Sequence, residues 1–223
     1  MTLLVAPIVE GETEVGCIER LLQRVWVEVL AQAERLQVVR PVRVKRDQVI
    51  RQKGTELADG VTQAARVLAA ARARAGSDAR SLILLVIDAE GDCPAALAPG
   101  LLAAARAARP GHDIDCVLPK RMFENWFVAA AESLRTESDL PAGPPRPDDL
   151  EGCSGVNWLV EQFKANGRTY KKPVDGLRFT RVFDLAACRA ASPSFDKLCR
   201  VLGGRVSPAT PAAEDPDATA PGC

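Results

Sequence analysis

Two groups of acidic residues give this chain its chemical potential. Glu10, Glu12 and Glu14 follow the apolar run Leu3–Val9, and Asp88, Glu90 and Asp92 follow a second run, Leu82–Ile87. Short, continuous apolar runs bounded by polar turns read as buried parallel strands. The acids therefore lie just past the C-terminal ends of two strands, the edge where open α/β sheets gather ligands. Carboxylates that converge there repel one another. At an effective dielectric near 20, two like charges about 5 Å apart cost roughly 3 kcal/mol. A hard divalent cation removes that cost and prefers oxygen ligands. The pattern predicts a site for Mg2+ or Mn2+.

Glu10 occupies the first strand tip and Glu14 the first turn of the next helix. Gly11 lets the backbone turn sharply between them, so both carboxylates can address one ion. Acids also favour helix N-termini for reasons of dipole alone, and Glu12 is set aside on that ground. Asp88 and Glu90 are alternate residues leaving a strand and point the same way. A third segment, Pro119–Trp126, adds Lys120 and Glu124. Lys120 follows a strand and can stabilise charge that builds on a phosphate in a transition state. Glu124 lies across its helix from Met122 and Trp126, so it can face the metal, whereas Trp126 and Phe127 read as core.

The elements that must hold these residues follow from periodicity. Ile18, Leu21, Leu22, Val25 and Val29 recur at helical spacing. Residues 38–44 alternate as a strand, and Pro41 assigns it to an edge. Helices are expected over 55–75 and 95–108 and from about Arg121, with strands at 82–87 and 114–118. The order β-α-β-α-β-α-β over residues 1–118 predicts an α/β fold: a parallel four-stranded sheet with right-handed crossovers, flanked by helices. Pro7 lacks a ladder donor, which calls for a late strand start or a bulge. The expected organisation is an α/β domain over 1–139, a Pro-rich linker or loop over 140–152, a basic and mostly helical appendage over 153–205, and a disordered tail over 206–223.

Composition excludes several classes. The 223 residues are 47% hydrophobic and carry 29 Lys plus Arg against 29 Asp plus Glu, which rules out a uniformly basic coat. A local basic face survives: Lys164 to Arg205 holds ten Lys or Arg against three Asp, a net +7. Lys164, Arg168, Lys171, Lys172, Arg178 and Arg181, with Tyr170 and Phe179 interleaved, are candidates for nucleic-acid contact. A solvated helical surface or a docking face for an acidic partner is the alternative. Seven dispersed cysteines without a CxxC pair suit reduced thiols in a cytoplasmic protein. No run approaches a membrane span. Phosphate-binding P-loop, G-x-S-x-G and G-x-G-x-x-G signatures are missing, which argues against ATPase, Ser-His hydrolase and dinucleotide-binding roles.

A Glu after the first strand, an Asp-x-acid after the third and Lys-Arg-x-x-Glu-Asn-Trp after the fourth resemble the TOPRIM domain of topoisomerases, primases and the OLD (overcoming-lysogenization-defect) nucleases. Tyr170-Lys171-Lys172, Asp175-Gly176, Phe179-Thr180, Asp184-Leu185 and Ser192-Pro193-Ser194-Phe195 extend the likeness to a small bacterial TOPRIM-like family of unknown function. Its members are often encoded beside ATPases in phage-defence loci. The likeness covers roughly residues 3–203. It implies a nuclease with Glu10, Glu14, Asp88, Glu90 and Glu124 around magnesium or manganese. Asp92 would be an accessory acid, and Lys120 and Glu10 would be the catalytic residues. Glu90 stands where TOPRIM domains usually carry Asp. Nucleic acid is the implied substrate and a nearby ATPase the implied partner; self-assembly into a homo-oligomer stays open. Tyr170, the sole tyrosine, lies outside the TOPRIM-like part, which disfavours a topoisomerase. The rival expectation is a non-catalytic effector or regulatory subunit that works through protein contacts.

Overall fold

A computed structural model describes residues 2–51, 55–76 and 78–206. Of the tail expected over 206–223, residues 207–223 lie outside the described residues. Five parallel strands form one sheet: β1 (Thr2–Val9), β2 (Arg35–Val38), β3 (Val42–Arg43), β4 (Arg80–Val86) and β5 (Ile114–Val117). The order is β2-β1-β4-β5, and β3 pairs with β1 along the same edge as β2. The protein is therefore α/β with a parallel sheet flanked by helices, as expected.

The single strand expected over 38–44 is instead two short pieces on either side of Pro41. The reason lies partly in β1. Val5 and Val9 accept from the N–H groups of Val39 and Val44, so odd-numbered residues of β1 turn their polar groups toward this edge. Pro7 lies between them and offers no N–H. The partner chain breaks its pairing opposite that gap, and Pro41, which also lacks a donor, falls in the break. β1 accordingly runs through Pro7 without the late start or bulge that the sequence called for; Pro7 pairs with Leu84 of β4.

Two cores cover the two faces. On one, Leu4, Ala6 and Ile8 meet Ile83, Leu85 and Ile87 under α2 (Arg46–Arg51), α3 (Thr55–Ala75) and α4 (Pro94–Ala108). Leu57, Val61, Ala64, Ala65 and Leu68 form the apolar stripe of α3. On the other face, Leu3, Val5 and Val9 pack beneath α1 (Glu12–Arg24), which continues into a π-helical turn at Val25–Val29. The same core takes in α5 (Glu124–Ala129), α6 (Ala131–Glu137), α7 (Gly155–Ala165), α8 (Lys172–Val182), α9 (Leu185–Ala191) and α10 (Pro193–Gly203). These last helices bring Phe163, Phe179, Phe183 and Phe195, all essentially inaccessible to solvent.

Polar ties fix α5 within this layer. Trp126 Nε1 donates to Ser194 Oγ at 2.9 Å. Asn125 Nδ2 donates to the carbonyls of Leu150 and Cys153, and its Oδ1 accepts from Gly155 N–H. The Pro-rich stretch is thereby held down, and Leu140 and Leu150 are buried. No helix among the described residues is long and apolar enough to cross a membrane.

Helix α8 crosses α1 closely at Gly176. A Cβ there would lie 2.7 Å from Thr13 Cγ2 and 3.7 Å from Cys17 Sγ. Gly176→Ala should separate the two helices and lower stability by about 1–3 kcal/mol. A urea denaturation midpoint measures it, and an unchanged midpoint would mean the crossing is looser than described.

Candidate metal centre

Strand and helix ends from four parts of the chain deliver carboxylates to one place. Glu10 follows β1 and is half-buried. Gly11 then enters α1 with extended backbone, and a side chain there would collide with Glu14 Oε2. Glu14, in the first turn of α1, is 3% exposed. Asp88 lies two residues past β4, where Phe123 N–H donates to its Oδ1 at 2.8 Å and fixes the carboxylate plane. Glu124 opens α5 and is completely buried. The segment expected to be helical from Arg121 instead turns at residues 120–123 and becomes helical at Glu124.

Glu14, Asp88 and Glu124 each offer an oxygen within 4.8 Å of the others. Glu10 Oε2, Glu14 Oε2 and Glu124 Oε2 are buried without a hydrogen bond, and Glu124 Oε1 meets the ammonium of Lys172 alone. Buried carboxylate oxygens without donors are costly. Burial, then the charge of Glu14, raises the pKa of Glu10. Asp88 is raised well above the usual range by burial and by Glu14, Glu124 and Glu10. Burial raises Glu124 too, against the pull of Lys172.

The lysine that faces this cluster is Lys172, at the start of α8. Its Nζ forms an ion pair with Glu124 Oε1 at 2.9 Å. Burial works against its charge, but Glu124, Glu14 and Asp88 outweigh that and hold its pKa above the lysine range. Lys120 goes elsewhere. Its Nζ donates to the Asp92 carbonyl at 3.0 Å, and it lines a separate cavity of about 280 Å3 between the starts of α4 and α10.

Glu90 leaves the strand line with a positive φ of 50° and pairs with Arg46 at 3.0 Å. Its side chain is 55% exposed, and it is not part of the triad. Arg46, from α2, is a residue that sequence reasoning missed. Buried itself, it donates from Nε to the Asp88 carbonyl and from Nη2 to the Ala89 carbonyl, and it also pairs with Asp92. It thus clamps the loop that carries Asp88. A lone arginine in a polar stretch gave no sign of this role.

The basic segment is partly neutralised within the fold. Arg168 and Arg178 pair with Asp139, and Arg178 also with Asp175. Lys164 and Lys171 remain exposed. Tyr170 and Phe179, read as interleaved aromatics, are instead buried and stacked on each other, so neither offers a face to a base. Burial, then Glu124, holds the Tyr170 phenol far above its usual pKa. Six cysteines among the described residues are free, four of them buried.

The class so defined is a parallel α/β protein with a buried carboxylate cluster at the C-terminal edge of its sheet. The chain belongs to the family described as a domain of unknown function, DUF4276, whose model matches residues 9–203. That span contains Glu10, Glu14, Asp88, Glu124 and Lys172. No curated protein and no solved structure matches the chain.

Proposed function

We propose that the protein is a magnesium- or manganese-dependent nuclease of the TOPRIM type. The observation that carries the reading is the convergence of Glu14, Asp88 and Glu124, with Glu14 Oε2 and Glu124 Oε2 buried and without a hydrogen-bond donor. The oxygen-only donor set suits a hard cation. The order of the acids along the chain matches the pattern that the TOPRIM resemblance implies. Glu14, Asp88 and Glu124 would hold the metal, with Glu10 at the rim. A bound cation would supply the Lewis acid that activates water and stabilises the leaving oxygen in phosphodiester hydrolysis.

The chain's own groups supply the rest. Phe123 N–H orients Asp88, and Arg46 holds its loop. Lys172, 40% exposed, keeps a positive charge between the buried acids and solvent, where a substrate phosphate would arrive. Lys172 therefore takes the role that the sequence assigned to Lys120. The proposal extends to nucleic acid as substrate, an ATPase partner in phage defence and a cytoplasmic location.

One observation favours the rival reading of a non-catalytic effector: Lys172 already gives Glu124 a cation. A single lysine faces four carboxylates, however, and that imbalance favours a metal. Incubation of the chain with labelled DNA and RNA tests the choice. Cleavage that needs magnesium or manganese and stops with EDTA supports the nuclease. Intact substrates in either metal, at any salt, support the effector.

A further inference from the structure

A polar cavity of about 460 Å3 opens beside the carboxylate cluster, its charged lining being Glu10, Asp47 and Glu90 with Arg43, Lys45 and Arg46. It lies on the β3–α2 side of Glu10, away from the basic helices of the C-terminal half. Its cations differ in availability. Arg46 is buried and fully engaged with the Asp88–Asp92 loop. Arg43 and Lys45 are exposed on the strand and loop that form the wall.

Arg43 makes one backbone contact and one exposed ion pair. Its Nε donates to the Glu10 carbonyl at 3.1 Å, which ties it to the tip that bears the rim carboxylate. Its Nη1 pairs with Glu12 at 3.1 Å, with side chains 54% and 77% exposed. Exposed pairs of this kind contribute little and yield readily to a stronger anion. A guanidinium can then meet a phosphate with two parallel donors.

We propose that this cavity is the subsite for the phosphate next to the scissile one, bound by Arg43 and Lys45. The proposal rests on the nuclease reading and gives the substrate strand a direction, from the carboxylate cluster toward β3. The ligand is a phosphodiester strand, which DNA or RNA can supply. Lys164, Lys171 and their neighbours then lie off the path of the adjacent nucleotide.

Fluorescence anisotropy with short labelled single-stranded DNA and RNA oligonucleotides tests this, with calcium in place of magnesium to block cleavage. The full chain is compared with an Arg43→Gln/Lys45→Gln double variant across a salt series. Loss of one phosphate contact should lower the slope of log affinity against log salt by about one, so the double variant should lose about one and bind several-fold to tenfold more weakly. Calorimetric titration with magnesium should be unchanged, which shows that the variant is folded and the carboxylates intact. Loss on DNA, on RNA or on both supports the subsite and identifies the strand. An unchanged slope with a parent that binds overturns the subsite alone, as does a slope lost only in Lys164→Gln/Lys171→Gln. A parent that binds neither oligonucleotide overturns the nuclease reading and the subsite together.

Discussion

Asp88→Asn should lower metal-dependent phosphodiester cleavage by about 100-fold or more while making the metal-free protein more stable. The two effects have one cause. Asp88 is flanked by Glu14, Glu124 and Glu10, and its charged form is opposed first by burial and then by those neighbours. Asparagine keeps an oxygen for Phe123 N–H and removes the charge. Metal-free, the variant loses a repulsion that the parent must tolerate or quench with protons. With metal, it lacks an anionic ligand. Loss of an outer-shell partner alone costs 10- to 100-fold in metal affinity or activity, so loss of a ligand should reach at least the upper end. Initial cleavage rates and thermal midpoints with and without magnesium measure both effects. A variant that is both less active and less stable in EDTA would point to a structural role for Asp88.

The second large effect is on the metal-free parent as pH changes. Glu10, Asp88 and Glu124 all have pKa values raised on folding, chiefly by burial. The folded chain thus holds protons that the unfolded chain has lost, and stability falls with pH wherever the native state binds more protons. The fall should begin in the ordinary carboxylate range, near the usual values of 3.8 and 4.5. It should continue until the raised values are passed. Magnesium binds the deprotonated cluster and should reverse the fall. At about one hundred times its dissociation constant, a ligand contributes roughly 2.7 kcal/mol, and for a chain of this length that raises the thermal midpoint by about 5–10 °C. A midpoint in EDTA that rises steadily from mildly acidic to neutral pH would show that the cluster is not under this strain.

How far the sequence could foresee this site depends on the kind of signal each residue leaves. β1 and β4 were legible because both are buried on two faces and read as unbroken apolar runs. Their tips placed Glu10, Glu14 and Asp88 at one edge. Glu124 was legible as a helical position off the Met122–Trp126 face. Its complete burial was not, because α7 and α8 had to be seen packing against it. The edge strands were misjudged because Arg35 and Gln37 are polar and the break opposite Pro7 is a property of two strands together. Glu90 was placed by alternation along an extended chain, which its positive φ interrupts.

The lysine was the hardest residue to place. Lys120 follows a strand, as a local rule would have it. Lys172 reaches the carboxylates only because α8 crosses α1 closely. The small residues at that crossing, Gly176 against Thr13 and Cys17, were the one sequence trace of the contact. Arg46 left no trace, since its partners are mainly carbonyls and acids more than forty residues away.

The measurement that bears most directly on the carboxylate cluster as a cation site is calorimetric titration of the metal-free chain with manganese, then magnesium, beside Asp88→Asn. Saturable binding by the parent, lost or weakened at least tenfold in the variant, is the predicted result. No binding by the parent, or equal binding by both, would contradict it.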